Sequence, residues 1–195
     1  MPTNDYHFTS GWRVEGTVEE IALIIENATD LPRWWPSVYL EVEELEPGGE
    51  HGLGKLMRIH AKGFLPYTLK MNFRTVESSY PHGFTLQATG DLEGTGVWTF
   101  EQDGRFVNVG YDWRILANKK LISSLSFLLK PIFAANHRWC MKRGEESLKL
   151  ELARRRARTE EESARLPEPR GPLFPHSLSY KRRMKNLASS SSHTA

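Results

Sequence analysis

Between Pro66 and Val76 the chain alternates, with Tyr67, Leu69, Met71 and Phe73 on one side and Thr68, Lys70, Asn72 and Arg74 on the other. A period of two is that of a strand with one face buried. The pattern recurs along most of the first 117 residues. Tyr6, Phe8, Ser10, Trp12 and Val14 oppose His7, Thr9, Gly11 and Arg13, and Met57, Ile59 and Ala61 oppose Arg58, His60 and Lys62. Phe84, Leu86 and Ala88 alternate with Thr85, Gln87 and Thr89; Trp98 and Phe100, then Val107, Val109, Tyr111, Trp113 and Ile115, continue the series. "SVYLEVEELEPGGEHG" reads as a further strand closed by a Pro-Gly-Gly turn, and "YPHG", "GDLEGTG" and "QDG" read as breakers between strands. The pattern predicts an antiparallel meander of about six to seven strands with one face in water. Arg74 and Asp112 fall on the outer parity.

Helical spacing appears in two places. In "GTVEEIALIIENATD", Thr17 and Glu20 have the spacing of a capping box, and Val18, Ile21, Ile24, Ile25 and Ala28 share one side. Asp30 and Pro32 stop that helix, and "LPRWWPSVYL" then predicts a second short helix or turn carrying Trp34 and Trp35. From about Ser123 to Arg155, Leu125, Leu128, Leu129, Ile132, Trp139 and Cys140 recur at helical spacing, with Pro131 expected to kink or divide the helix. The economical packing is α+β: a curved antiparallel sheet wrapped around one long C-terminal helix, with two short helices after the first strand.

Composition changes this picture at the C-terminal end. From Arg154 onward ten Lys and Arg face four Glu, a net +6, while the rest of the chain carries −4. The pI of 8.7 therefore reports the tail and not the domain. Residues 1–157 are predicted as the folded domain, and 158–195, rich in Pro, Ser, Glu and Arg, as mostly disordered. Within that tail, "YKRRMK" is expected at most to touch a membrane surface or an acidic partner weakly, and no specific nucleic-acid site is expected. The single cysteine, Cys140, excludes an intrachain disulfide, and neither an N-terminal apolar leader nor an 18-residue apolar run is present. These features predict a soluble, cytoplasmic protein. The seven histidines lack metal-ligand spacing, and nucleophile elbows, phosphate loops and dinucleotide fingerprints are missing, so no metal and no cofactor are expected.

The order of elements over residues 5 to about 153, with the segments "LPRWWPSV", "LPYTL", "GDLEGTGVWTF", "VGYDWRI" and "NHRWCMKRGEESL", resembles the START/SRPBCC superfamily, in particular its bacterial polyketide cyclase/dehydrase-type proteins. The resemblance implies the helix-grip fold and an internal cavity. Superfamily members include lipid carriers, plant hormone receptors, aromatase/cyclases and ring-hydroxylase domains, so the fold implies a cavity and not one chemistry.

A sheet that curls around a helix leaves space unless large side chains fill it, and polar groups on the apolar faces are then the ligand-facing candidates. The predicted cavity wall comprises Met57, Ile59, Tyr67, Leu69, Met71, Phe73, Leu86, Trp98, Tyr111 and Trp113 from the sheet. The long helix adds Ile132, Asn136 and Cys140. Asn136 falls inside the apolar stripe at about 100° per residue, so its amide bonds either a ligand or the sheet backbone. His137 sits on the flank of the stripe, and Arg143 lies one step further along it. Cys140 faces inward, where a thiol acts as a small apolar residue. Trp34 and Trp35 are expected to divide their work, one packing into the mouth against the long helix and the other covering the rim. No catalytic constellation is apparent; only Asn136, His137, Tyr67 and Tyr111 are available for acid–base roles. The leading expectation is a carrier or sensor for a hydrophobic small molecule such as a lipid, isoprenoid or aromatic polyketide. A cyclase or dehydratase, and an adaptor whose tail contacts membrane or nucleic acid, are the alternatives.

Overall fold

The computed structural model of the protein describes residues 5–117 and 126–173. Seven strands form one antiparallel sheet: β1 (Asp5–Glu15), β2 (Tyr39–Glu46), β3 (Leu56–Lys62), β4 (Thr68–Ser78), β5 (Gly83–Gly90), β6 (Leu92–Asp103) and β7 (Phe106–Ala117). Their spatial order is β1-β7-β6-β5-β4-β3-β2. Six consecutive strands thus form a meander, and β1 closes it by pairing with β7 from Asp5↔Leu116 to Glu15↔Phe106. The alternation read from sequence holds: Trp12, Val14, Met57, Ile59, Met71, Ala88, Trp98, Phe100, Val107, Val109 and Trp113 are all buried on one face.

Helix α1 (Val18–Ile25) starts in the predicted capping box, with Thr17 and Glu20 each capping the other's backbone N–H. A single turn, Ala28–Asp30, leads into the four-residue α2 (Leu31–Trp34). The long helix α3 (Ser126–Arg156) carries Pro131 within it and lies across the apolar face of the sheet. Tyr6 meets Phe133 edge-on at 5.7 Å and Phe8 stacks on His137 at 4.6 Å. At the other end of α3, Leu148 and Leu152 are buried. There Glu151, with a side chain only 2% exposed, accepts two bonds from Arg33 of α2 at 2.6 and 2.8 Å and one from Arg155 at 2.7 Å. Leu125 and the side chains of Leu128 and Leu129 lie outside the described residues. No helix is long and apolar enough to cross a membrane among the described residues.

One expectation needs correction. "GDLEGTG" does not interrupt the sheet: only Asp91 separates β5 from β6, and Gly94 and Gly96 lie within β6. The reason is close approach. A Cβ on Gly96 would come within 2.8 Å of both the Trp113 ring and the Tyr111 hydroxyl, so only glycine lets those rings pack over β6. Of 158–195, the structure describes 158–173. Thr159 caps a short helix α4 (Glu160–Ala164), and the chain then returns as a strap over 165–173 with Pro169 and Pro172 buried. Arg154 donates to the Pro167 carbonyl at 2.5 Å, and the Lys62 ammonium donates to the Leu173 carbonyl at 2.7 Å. Proline loses little backbone freedom on ordering, so a few anchors suffice to seat this segment. Residues 174–195, including the basic stretch Tyr180–Lys185, lie outside the described residues.

Candidate functional site

Between the sheet and α3 lies a cavity of about 150 Å³. The sheet contributes Tyr6 and Phe8 from β1, Ala61 and Lys62 from β3, Leu69, Met71 and Phe73 from β4, and Leu92 and Trp98 from β6. Tyr111, Trp113 and Ile115 from β7 continue that wall, and α3 faces it with Phe133, Asn136, His137, Cys140 and Met141. The α2–β2 connection supplies Trp35 and Val38, followed by Tyr39 at the start of β2, and the β3–β4 loop supplies Gly63 and Tyr67. A second, smaller cavity of about 60 Å³ lies toward α1 and α2, lined by Ile25, Glu26, Leu31, Trp34, Met57, Ile59 and Leu86 among others. Trp35, Tyr39, Phe73, Trp98 and Tyr111 line both and so form the partition between them.

Ten of the fifteen residues predicted from sequence meet in the larger cavity: Trp35, Tyr67, Leu69, Met71, Phe73, Trp98, Tyr111, Trp113, Asn136 and Cys140. Trp34, Met57, Ile59 and Leu86 line the smaller one instead. Strand parity gives the correct face but not the height along the sheet. Ile132 lines neither and is 42% exposed. Phe133 takes its place because seven residues before Cys140 is nearly two full turns, about 20° away, whereas eight residues drift by about 80°.

The tryptophan pair is not a gate. Trp34 and Trp35 are 1% and 3% exposed, and Pro36 and Ser37 beside them are fully buried. Trp35 meets Trp12 at 5.6 Å and Tyr39 at 5.2 Å, both edge-on, and lies flush against Gly144 of α3. A Cβ on Gly144 would overlap the Trp35 ring. The α2–β2 connection therefore runs beneath α3, where it fills the core, and neither ring covers a rim.

Asn136 resolves in favour of the backbone for half of its amide. Its Oδ1 accepts from Phe64 N at 2.9 Å and Leu65 N at 3.4 Å, pinning the β3–β4 loop to α3. Gly63 permits this approach, since a Cβ there would overlap that oxygen. His137 is a wall residue rather than a flank residue. It shares a 3.1 Å hydrogen bond with Ser10 through Nε2 and lies between the Phe8 ring and Tyr111. Arg143 pairs with Glu146 at 2.7 Å and lies over the Trp139 ring, away from the cavity wall. Arg74 and Asp112 stay outside, paired with Glu46 and with His7 and Arg114. Sequence reasoning missed Tyr39, Lys62 and Met141 as wall residues; Tyr6 and Phe8 had the correct parity but were not singled out.

Burial sets the electrostatics. It pushes the Tyr67 phenol and the Cys140 thiol each up to about 12, and raises Tyr6, Tyr39 and Tyr111 in the same direction. Burial, helped by Arg138, brings His137 down to about 4. Around neutral pH the phenols, the thiol and the imidazole of the wall are therefore all un-ionised. Because the native state refuses the His137 proton while the unfolded chain accepts it near 6.5, stability should fall as pH drops from 6.5 to about 4. Below that the loss levels off, at most about 3 kcal/mol from this group. Thermal unfolding across that range should show the slope, and His137→Gln should flatten it; an unchanged slope in the variant would refute the assignment.

No family model matches the sequence, and neither does any curated protein. Solved structures do match. The Zhui aromatase/cyclase from Streptomyces sp. R1128 aligns with a TM-score of 0.64 at 12% identity, over 79% of this chain and 97% of that one. TTHA0849 from Thermus thermophilus aligns at 0.62 and 13%, over 78% and 100%. The di-domain ARO/CYC BexL from the BE-7585A biosynthetic pathway aligns at 0.59 and 16%, over 81% of this chain and 52% of that one. At such identities the likeness is one of fold, and with the seven-stranded sheet closed on α3 it establishes that this chain has the helix-grip fold.

Proposed function

We propose that the protein binds a small hydrophobic molecule, of about one aromatic ring in size, in the cavity between the sheet and α3. The observation that carries this reading is an aromatic cavity with buried donors that have polar capacity to spare. The Tyr6 hydroxyl and the Trp35 indole N–H are buried without a hydrogen-bond partner among the described residues. Each unmet buried donor costs roughly 1–3 kcal/mol, which a ligand oxygen would recover. A cavity of about 150 Å³ is the size that accepts a benzene-sized guest. That volume favours a single ring over the longer lipids, isoprenoids or fused polyketides that the fold class also admits.

Binding is favoured over turnover by the positions of the proton-transfer groups. Efficient general acids and bases titrate near the working pH. Here the phenols lie well above neutrality and His137 well below it. The similar solved structures include aromatase/cyclases, so a cyclase or dehydratase is the competing reading; it requires a group that titrates near 7 when substrate is bound.

Filling the space tests the proposal. Ala61 is buried on the cavity wall. Ala61→Phe should abolish saturable, calorimetrically detected binding of p-cresol while the fold is retained by circular dichroism. Unchanged affinity in the folded variant would place the binding site elsewhere.

A further inference from the structure

Hydrogen-bond donors are in surplus on the cavity wall, and strong acceptors are scarce. The unpartnered Tyr6 hydroxyl and Trp35 indole N–H both belong to wall residues. Asn136 has spent its oxygen on Phe64 and Leu65, which leaves its amide nitrogen, a donor only, as the uncommitted half of that side chain. His137 commits one ring nitrogen to Ser10. Among the described residues no Asp or Glu lines the cavity, and the sequence outside them contains none.

The polar atoms of the wall face one space. Beyond burial, Cys140 and Tyr6 push the Tyr67 phenol up, Cys140 does so for Tyr39, and Tyr39 does so for Tyr111, so these atoms lie within electrostatic reach of one another. At the Tyr6 end, the Tyr6 ring meets Phe133, and Asn136 stands three residues further on the same side of α3. A carbonyl oxygen placed there takes up the Tyr6 hydrogen and brings none of its own. An alcohol accepts that hydrogen too, but its own hydrogen then meets no carboxylate and no free amide oxygen. A phenol hydroxyl is a poor substitute acceptor, because the ring draws on its oxygen lone pair. A site that leaves one polar group of a ligand unpaired discriminates strongly against that ligand.

We propose that the cavity selects an aromatic molecule whose polar end accepts hydrogen bonds without donating any, an aldehyde or ketone rather than an alcohol, with its carbonyl oxygen seated at Tyr6 on the Asn136 side. The inference rests on the reading of the cavity as a small-molecule site. It makes the Tyr6 hydroxyl a group that serves the ligand and not the fold, since it bonds nothing among the described residues.

Benzaldehyde and benzyl alcohol, which share one skeleton and differ in a single donor, provide the test on the full chain at pH 7 by calorimetry. Benzaldehyde is expected to bind about tenfold tighter. Its carbonyl stretch should move to lower frequency on binding, the infrared mark of an accepted hydrogen bond. Tyr6→Phe should weaken benzaldehyde about tenfold and bring the ratio of the two affinities close to one. The same variant should unfold at no lower temperature than the native chain, because the hydroxyl it removes holds nothing in the fold. Equal affinities for the native chain, a preference for the alcohol or an unmoved carbonyl stretch would overturn the selection while leaving the cavity reading intact. A preference that survives in Tyr6→Phe would overturn the seat at Tyr6. Binding of neither, together with failure of p-cresol to bind, would overturn both readings. Because the two ligands are compared on the native chain, the test decides the matter even if Tyr6→Phe fails to fold.

Discussion

Glu151→Ala should destabilise the protein by about 3–5 kcal/mol, measured by urea unfolding at pH 7. The carboxylate is almost wholly buried and holds two guanidiniums, Arg33 from α2 and Arg155 one turn along α3, with Asp30 bonded to Arg33 at 3.1 Å from the other side. Removing it leaves both guanidiniums beside a void lined by the ends of two helices. Burial alone would push the Glu151 carboxyl up, but the paired guanidiniums outweigh burial and hold it below the usual carboxylate range. Its contribution is therefore complete above the unfolded carboxyl value of about 4.5 and disappears as pH falls through the lower native value. Acid unfolding should thus come in two parts, the His137 slope above about 4 and the Glu151 loss below it. Glu151→Gln should remove the second part and keep the first. If Glu151→Ala costs less than about 1 kcal/mol, the pair is not what fastens α2 to α3.

The second large effect is expected at Trp35. Trp35→Ala should cost about 3–5 kcal/mol, as large-to-small changes in a packed core do. It should also alter what the protein binds, because Trp35 belongs to the partition between the two cavities. Deleting the ring joins a space of about 150 Å³ to one of about 60 Å³. A two-ring probe such as 2-naphthol should then gain affinity relative to p-cresol, as measured by calorimetry on the folded fraction. Trp35→Phe, which keeps most of the partition, should show a smaller shift in that ratio. A ratio that does not move in Trp35→Ala would mean that the two spaces do not communicate through this ring.

Much of the fold was legible because a two-residue period survives whatever packs against it. The parity of Tyr67 to Phe73, the capping box at Thr17 and the outward placement of Arg74 and Asp112 all follow from local spacing alone. What local spacing cannot carry is depth. Trp34 and Trp35 look like a lip because they sit between two prolines at a four-residue helix. Only the distant Gly144, by letting a helix backbone come flush against an indole, makes that turn part of the core. Lys62 reads as a solvent-facing strand lysine, and it is buried by a segment 111 residues further along the chain. Ile132 and Phe133 show the same limit in a helix, where one residue of drift decides between cavity and solvent. The wall residues that escaped the sequence were those whose neighbours come from far away in the chain.

The pairing of β1 with β7 has a consequence for how this chain is made. Glu15 waits for Phe106, so about ninety residues must be synthesised before the first strand has any strand partner. At typical elongation rates that is a delay of roughly 5–20 s on the ribosome. Throughout it, a segment carrying Tyr6, Phe8, Trp12 and Val14 on one side has neither sheet edge nor helix to cover it. The meander from β2 to β7 can form by successive neighbouring hairpins, whereas the cavity is completed only when both ends of the domain, β1 and α3, arrive. A nascent chain stalled before Phe106 should therefore be the species that chaperones hold.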